Sequence, residues 1–387
     1  MSTNRGDSNN VTVIDPENIS QRSIDSSSSY IHLDSILSKK QIKQWRENGY
    51  LLLDNIFNVD IVQNAVKEIH DRVQSSSTSD FTSIGGPDAL EFPTGMSSLD
   101  SLSIDRSLIT IVKELLNTNE VLLTQAETWK KVGIDPEISS DSSTSSGSSS
   151  SSGVIDNTFN NQDQRMHMDF PNHTILHPPP FHLPEAVACI IYLSNSDECG
   201  GATHIVPRLS EDDELYQWPY SNMPGFGAIP WINDRTLAEG YLNDHYPEVA
   251  AFRKALYDRE VGITFKIGTL LVYRHDLWHR GTPLLPTSTR YVQNIVYKLP
   301  HCHWLHNWNQ GAAKYIYEKK KYVERLIAQL DVNQRSCLGI PLPGHVYWTK
   351  LTIAAVEKRY GCFGMDMSPY LQALSNQNSD VYPTDIV

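Results

Sequence analysis

The feature that most constrains this chain is a series of short apolar runs, rich in β-branched and aromatic residues, held apart by glycine and proline. They are Ala186 to Leu193, Ala202 to Val206, Val261 to Phe265, Thr269 to Tyr273 and Tyr291 to Tyr297. Each is long enough for a strand and shorter than an ordinary helix, and the turn residues between them stop neighbours from merging. That rhythm predicts an antiparallel sandwich or barrel. Helical spacing flanks it. Ile42 and Trp45, closed by Gly49, read as a short helix, Tyr50 to Ile56 as a strand, and Ile61, Ala65, Ile69 and Val73 recur at the helical period. After the last strand, Trp308 to Leu330 and Tyr347 to Tyr360 again carry helical spacing, so helices are expected to pack against the sheets at both ends of a mainly β body.

Two segments fall outside this pattern. Residues 1 to 38 are rich in Ser, Asn and Asp with few aromatics, a composition that buries too little surface to offset the entropy of ordering, and a disordered arm is expected there. Ser139 to Gly153 is almost pure Ser with Gly, Thr and Asp, the composition of a flexible spacer. Strand-like segments stand on either side of it, Val121 to Trp129 before and His173 to Leu176 after. An insertion within one domain spanning 39–375 therefore fits better than a linker between two, with 376–387 as a flexible tail. No internal repeat is visible.

Composition excludes several classes of function. The chain has 387 residues, 40% of them hydrophobic with 8 Trp and 18 Tyr, enough for a large core, and its net charge is −13. Phosphate backbones are bound by clustered Lys and Arg, so nucleic acid is not an expected partner. The one basic run, Lys319-Lys320-Lys321 between Glu318 and Glu324, reads as a solvated helix face. Five widely spaced cysteines without a C-x-x-C pair suggest reduced thiols. The N-terminus lacks a signal-peptide core, and no apolar run approaches the roughly 20 residues of a membrane span. A cytoplasmic protein is expected.

Within the β region the chemistry-bearing residues form an ordered set. His167-Met168-Asp169 places an imidazole and a carboxylate two residues apart, so that on extended chain they project from one side. His279 follows the strand Thr269 to Tyr273 and supplies a third ligand. Two His and one carboxylate on one face leave open positions on a metal, the arrangement suited to non-haem iron. H-x-D alone is weak evidence, since His32-Leu33-Asp34 repeats it inside the arm. Arg290 stands 290 − 279 = 11 residues after the distal His, at the start of a strand. Its planar guanidinium suits the far carboxylate of a keto diacid bound to the metal by its other end, in a bidentate way that Lys cannot copy.

Together these residues resemble the phytanoyl-CoA dioxygenase-like family of Fe(II)- and 2-oxoglutarate-dependent oxygenases. The likeness runs over about Lys40 to Leu374. It includes Gln44-Trp45-Arg46-Glu47-Asn48-Gly49-Tyr50, the segment Asp163 to Asp169, the turn Gly200-Gly201-Ala202-Thr203-His204-Ile205-Val206-Pro207, and His279-Arg280-Gly281. The sequence departs from many relatives at Arg208-Leu209-Ser210, where they continue Gly-Ser-His. The resemblance implies a double-stranded β-helix (jelly-roll) core with N- and C-terminal helices, Fe(II) held by His167, Asp169 and His279, and 2-oxoglutarate held by Arg290. It also implies hydroxylation of a small molecule using dioxygen, with release of succinate and CO2, because related halogenases lack the carboxylate that Asp169 provides. In the strand Gln125 to Lys131 it points to Lys131, and after the distal His to Thr282, as further contacts to the cosubstrate. A surface lysine is the plainer reading of Lys131. Gln164 and Asn172 flank the metal segment and read as loop-capping residues or as cosubstrate contacts.

Rival readings exist. His275 and His279 have the i, i+4 spacing of a zinc hydrolase helix, with Asp276 between them, but the neighbourhood reads as strand and turn. His173, His177 and His182, like His301, His303 and His306, form clusters of a kind that can bind metal, but read better as surface or as the lining of a substrate mouth. A catalytically idle jelly roll that only binds a ligand would keep the same fold. Substrate identity resides in loops such as Ser210 to Asp234, which carry no readable code, and the oligomeric state is not legible.

Overall fold

A computed structural model describes residues 35–75, 90–134, 162–169, 181–217, 227–300 and 321–379. The arm through residue 34, the Ser-rich tract, His173 to Leu176, and residues 301–320 with their His cluster and with Lys319 and Lys320 lie outside the described residues. Two antiparallel sheets form the centre. The larger has six strands in the order β1 (Tyr50–Leu53), β7 (Leu270–Arg274), β4 (Ala186–Tyr192), β9 (Thr289–Lys298), β3 (Leu122–Val132) and β2 (Leu90–Glu91). The smaller has three, β6 (Val261–Gly262), β5 (Thr203–Ile205) and β8 (His279–Gly281). Every residue of β4 and β7 is buried, which is why their runs are continuously apolar rather than alternating.

Alternation along β9 separates two cores. Tyr291, Ile295 and Tyr297 face a cluster shared with helices α1 (Lys39–Asn48), α2 (Val59–Ser75), α3 (Ser97–Ser103) and α4 (Arg106–Leu116). Val292 and Val296 face a second cluster in which Ile205 and Trp278 meet Ala188, Ile190 and Leu271 from the large sheet. This second core lies between the sheets and surrounds the site described below. Packing begins ahead of Lys39: Leu37 is buried, and the Glu114 carboxylate accepts both its amide and that of Ile36 at 2.9 Å. Ser38 and Gln41 form a capping box at the start of α1. Gly49 ends it at φ +93°, and a Cβ there would meet Leu277 Cδ1 at 2.5 Å, so only glycine lets β1 begin at once.

Several expectations shift. The run Val261 to Phe265 pairs only over two residues, because beyond Ile263 the chain turns to Ser196, whose hydroxyl and amide both reach the Phe265 carbonyl. The C-terminal helices Tyr322–Gln329, Val332–Cys337, Lys350–Tyr360 and Ser368–Ser379 build a third core of their own from Ile327, Trp348, Val356, Tyr360 and Tyr370. Lys321 is buried rather than solvated, since the helix starts only at Tyr322 and the backbone at Lys321 is left-handed, with φ +50°. Cys189, Cys199 and Cys362 are unpaired thiols. Among the described residues no helix is long and apolar enough to cross a membrane.

Candidate active site

The site begins with a backbone exchange. His167 and His279 form an isolated antiparallel bridge in which each amide donates to the other's carbonyl at 2.9 Å. Directly paired residues project side by side from one face, and the two rings stand 4.4 Å apart between centroids. Asp169, two residues past His167, returns to the same side. Its Oδ1 lies 3.7 Å from His167 Nε2 and its Oδ2 3.3 Å from His279 Nε2. One ligand atom from each side chain falls within 4.8 Å of the others, so a single ion can bridge all three.

Hydrogen bonds orient each ligand. Nδ1 of His167 meets the Arg165 carbonyl at 3.0 Å, and Nδ1 of His279 meets the Leu277 carbonyl at 2.9 Å. A carbonyl only accepts, so Nδ1 carries a proton in both rings and each Nε2 is turned toward Asp169, whose charge raises His279 against the effect of burial. The Tyr273 hydroxyl donates to Asp169 Oδ2 at 3.0 Å. Burial and the neighbouring His279 hold His167 well below the usual imidazole range. Burial alone would raise Asp169, yet the facing imidazoles, His279 foremost, pull it well below the carboxylate range. A neutral imidazole and an ionised carboxylate are therefore ready at neutral pH. The donor set fits a divalent metal.

The metal segment is clamped from behind. In helices α5 (Arg235–His245) and α6 (Pro247–Arg259), Glu239 binds the Arg253 guanidinium through two oxygens and accepts the Tyr257 hydroxyl at 2.6 Å. Arg253 then donates to the Met166 carbonyl at 2.9 Å, and the Tyr257 oxygen accepts the Met166 amide at 3.0 Å. Both polar groups of the residue before His167 are thus held by side chains. The turn leading to His279 is fixed in a similar way. Asp276 lies between the fully buried Arg274 and Arg208, at 2.9 and 2.7 Å, and the Trp278 amide donates to the Tyr216 hydroxyl at 3.1 Å. His275 sits in this turn, so it shares no helical face with His279, and the ligand group among the described residues does not include it.

A second polar centre lies at the far end of β8. Arg290 is buried, its Nη1 donates to the Gly201 carbonyl, and its Nε finds no partner among the described residues. Lys131 is its register partner on β3. The lysine is buried and donates to the carbonyls of Gln162 and Thr282 at 2.7 and 2.8 Å. Burial first, and the Arg290 charge second, push its ammonium down to about 7. Asp163 acts on the lysine only as a weaker influence than burial and Arg290, and two desolvated cations set side by side favour an anion between them. Thr282 turns its hydroxyl to the Ala202 carbonyl at 2.8 Å and contributes its own carbonyl to Lys131. From His279 to Thr282 is three residues, about 10 Å of extended chain. Gln164 accepts the Gly281 amide at 2.9 Å and so ties the two segments together, while Asn172 lies outside the described residues.

The structure brings His167, Asp169 and His279 together and buries Arg290 beside Lys131, and it adds Tyr273, Arg253, Tyr257, Glu239 and Asp276, to which sequence reading assigns no role at this site. Tyr273 and Asp276 are near His279 in sequence, where the strand pattern and an aspartate between two histidines were visible. Nothing local marks the helix residues, whose partner Met166 is 253 − 166 = 87 positions from Arg253.

No protein-family description matches the sequence, and no curated protein matches it. Solved structures do. EctD from S. alaskensis with bound Fe shares 17% identity, covers 68% of this chain and 78% of its own, and gives a TM-score of 0.42. The epimerase SnoN, in complex with Fe3+, alpha ketoglutarate and nogalamycin RO, shares 13% identity over 67% of this chain and 82% of its own, at 0.43. AviO1 from Streptomyces viridochromogenes shares 12% over 70% and 98%, at 0.42. Likenesses of this size fix neither a subfamily nor a substrate, and what the site does has to be read from its own geometry.

Proposed function

We propose that this protein is an Fe(II)- and 2-oxoglutarate-dependent dioxygenase of the phytanoyl-CoA dioxygenase-like family. In this reading it has a double-stranded β-helix (jelly-roll) core and hydroxylates a small organic or lipid-like substrate, with release of succinate and CO2. The observation that carries the reading is a pairing: a His-Asp-His set oriented to hold one metal, and a buried guanidinium lacking a counter-ion among the described residues at the other end of the same short strand.

Each residue then has a role. His167 and His279 offer Nε2, with ring orientation set by backbone carbonyls, and Asp169 offers a carboxylate held in place by Tyr273. Arg290 receives the distal carboxylate of 2-oxoglutarate in bidentate fashion, and Lys131 adds a second positive charge. Thr282 acts through its carbonyl, which keeps the lysine amine at the anion pocket. The buried Met166, Met168 and Trp278 exclude water behind the ligands, as radical chemistry on carbon requires. The iron, with the keto acid and dioxygen, supplies the oxidising power for C–H hydroxylation.

The test is anaerobic loading with Fe(II) and 2-oxoglutarate, followed by oxygen and measurement of succinate. The wild type should release succinate without added substrate, and His279→Ala should abolish that release together with metal binding. A wild type that binds the metal yet releases none is an idle jelly roll, and the proposal fails.

A further inference from the structure

The strand that carries Lys131 also carries a half-buried acid, Glu127, that the metal and anion sites leave unused. Along β3 the residues Gln125, Glu127, Trp129 and Lys131 share one face by alternation, and Trp129 packs against the core between the sheets, which identifies that face as interior. Register across the large sheet places Glu127 in a row with Asn294, Ile190 and Leu271. Toward one end of the strands is the row of Lys131 and Arg290. Toward the other is the row of Gln125, Val296, Ala188 and Tyr273, the tyrosine that holds Asp169. Glu127 therefore faces the interior at a level between the anion anchor and the tyrosine of the metal centre.

Its surroundings do not neutralise it. The carboxylate accepts the Trp129 indole N–H at 2.8 Å and a side-chain hydrogen bond from Gln125, both neutral donors. The charge that acts on it is another acid, Glu91, its register partner on β2. Gln125 Oε1 is buried with no partner among the described residues, and Asn294 is only half-buried across the strand pair. A desolvated carboxylate beside an acid is costly unless a cation completes it. A glutamine would satisfy the same indole at lower cost if the role were structural.

We propose that Glu127 is the substrate-recognition residue of this site and that the substrate is a small molecule bearing an ammonium or guanidinium group. Opposite signs on one strand then sort the two ligands: Lys131 and Arg290 take the anionic cosubstrate, and Glu127 takes the cationic substrate and repels the keto diacid. Gln125 and Trp129 are positioning residues that hold the carboxylate.

This inference rests on the proposed oxygenase reading, and the experiment separates the two. Co(II)-loaded protein with 2-oxoglutarate, which does not turn over, is titrated calorimetrically with matched probes: alkyl and cyclic amines, the corresponding alcohols and the corresponding carboxylic acids. The amines should bind best. Glu127→Gln should weaken them about tenfold or more, the size of a lost charge-assisted hydrogen bond. It should leave the alcohols within about twofold of wild type, while Glu127→Asp, which keeps the charge, should restore part of the affinity. Amines that bind no better than the matched acids and alcohols, or equally well to Glu127→Gln, overturn the proposal even if succinate release stands. Glu127-dependent amine binding in a protein that releases no succinate upholds the recognition and removes the oxygenase.

Discussion

Lys131 offers the sharpest test of the anion pocket, through pH. Its ammonium sits near 7 in the folded protein against an ordinary value of 10.5, because it is buried and stands beside Arg290. A gap of about 3.5 units corresponds to a cost on the order of 5 kcal/mol for the charged form. The folded value is the lower one, so the unfolded chain binds more protons between pH 7 and 10.5. The cost is fully present below about pH 7, and stability rises as pH climbs through that window. An anion placed against Lys131 offsets both the lost solvation and the Arg290 charge. Binding of 2-oxoglutarate should therefore raise the lysine again and draw a proton from solution above pH 7, so that affinity falls about tenfold from pH 7 to 8.5. Calorimetry on Co(II)-loaded protein, in two buffers of different ionisation enthalpy, counts that proton directly. Lys131→Met should bind more weakly at pH 6.5 and show a flat profile. Glu185 also titrates near pH 7, because burial raises its carboxyl against the pull of Lys298, and the methionine variant leaves it untouched. No proton uptake in the wild type, or an unchanged slope in Lys131→Met, would refute the reasoning.

Two further predictions concern the supports. Arg253→Met removes a donor from the Met166 carbonyl and strands Glu239, so it should lower stability by about 3–5 kcal/mol in denaturant melts and metal affinity about 10–100-fold; adding Glu239→Gln should recover part of the stability, and a double variant worse than the single one counts against the clamp. Gly201→Ala places a side chain at φ +64°, with its Cβ 2.6 Å from Leu284 Cδ1 and 3.5 Å from Arg290 Nη1; it should cost about 1–3 kcal/mol and raise the KM for 2-oxoglutarate, and an unchanged KM would show that the Gly201 turn does not shape the pocket.

The local part of this protein was legible because it depends on neighbours in sequence. Short apolar runs between turn residues became β4, β5, β7 and β9 within a residue or two, since a strand needs only an apolar extended segment and an end. Gly49 closed the first helix for an equally local reason, whereas its N-cap, Ser38, had been assigned to the arm. The side-chain period of two put His167 and Asp169 on one side without further information. The length of β6 was misjudged, because Ser196, 265 − 196 = 69 residues away from Phe265, takes the backbone that would have continued it. Lys321 was misplaced because the charge pattern says nothing about where the helix begins.

What the chain order alone determined is the inventory: two imidazoles, a carboxylate and a guanidinium, set among short strands in an acidic sequence. Only tertiary structure decided that His167 pairs with His279, that Tyr273 and the Glu239–Arg253 clamp hold the ligands in place, and that Lys131 stands against Arg290 rather than in water. The physical reason is that strand pairing and burial join residues a hundred positions apart. The free energy of a buried charge depends on what is packed around it, which no stretch of sequence states.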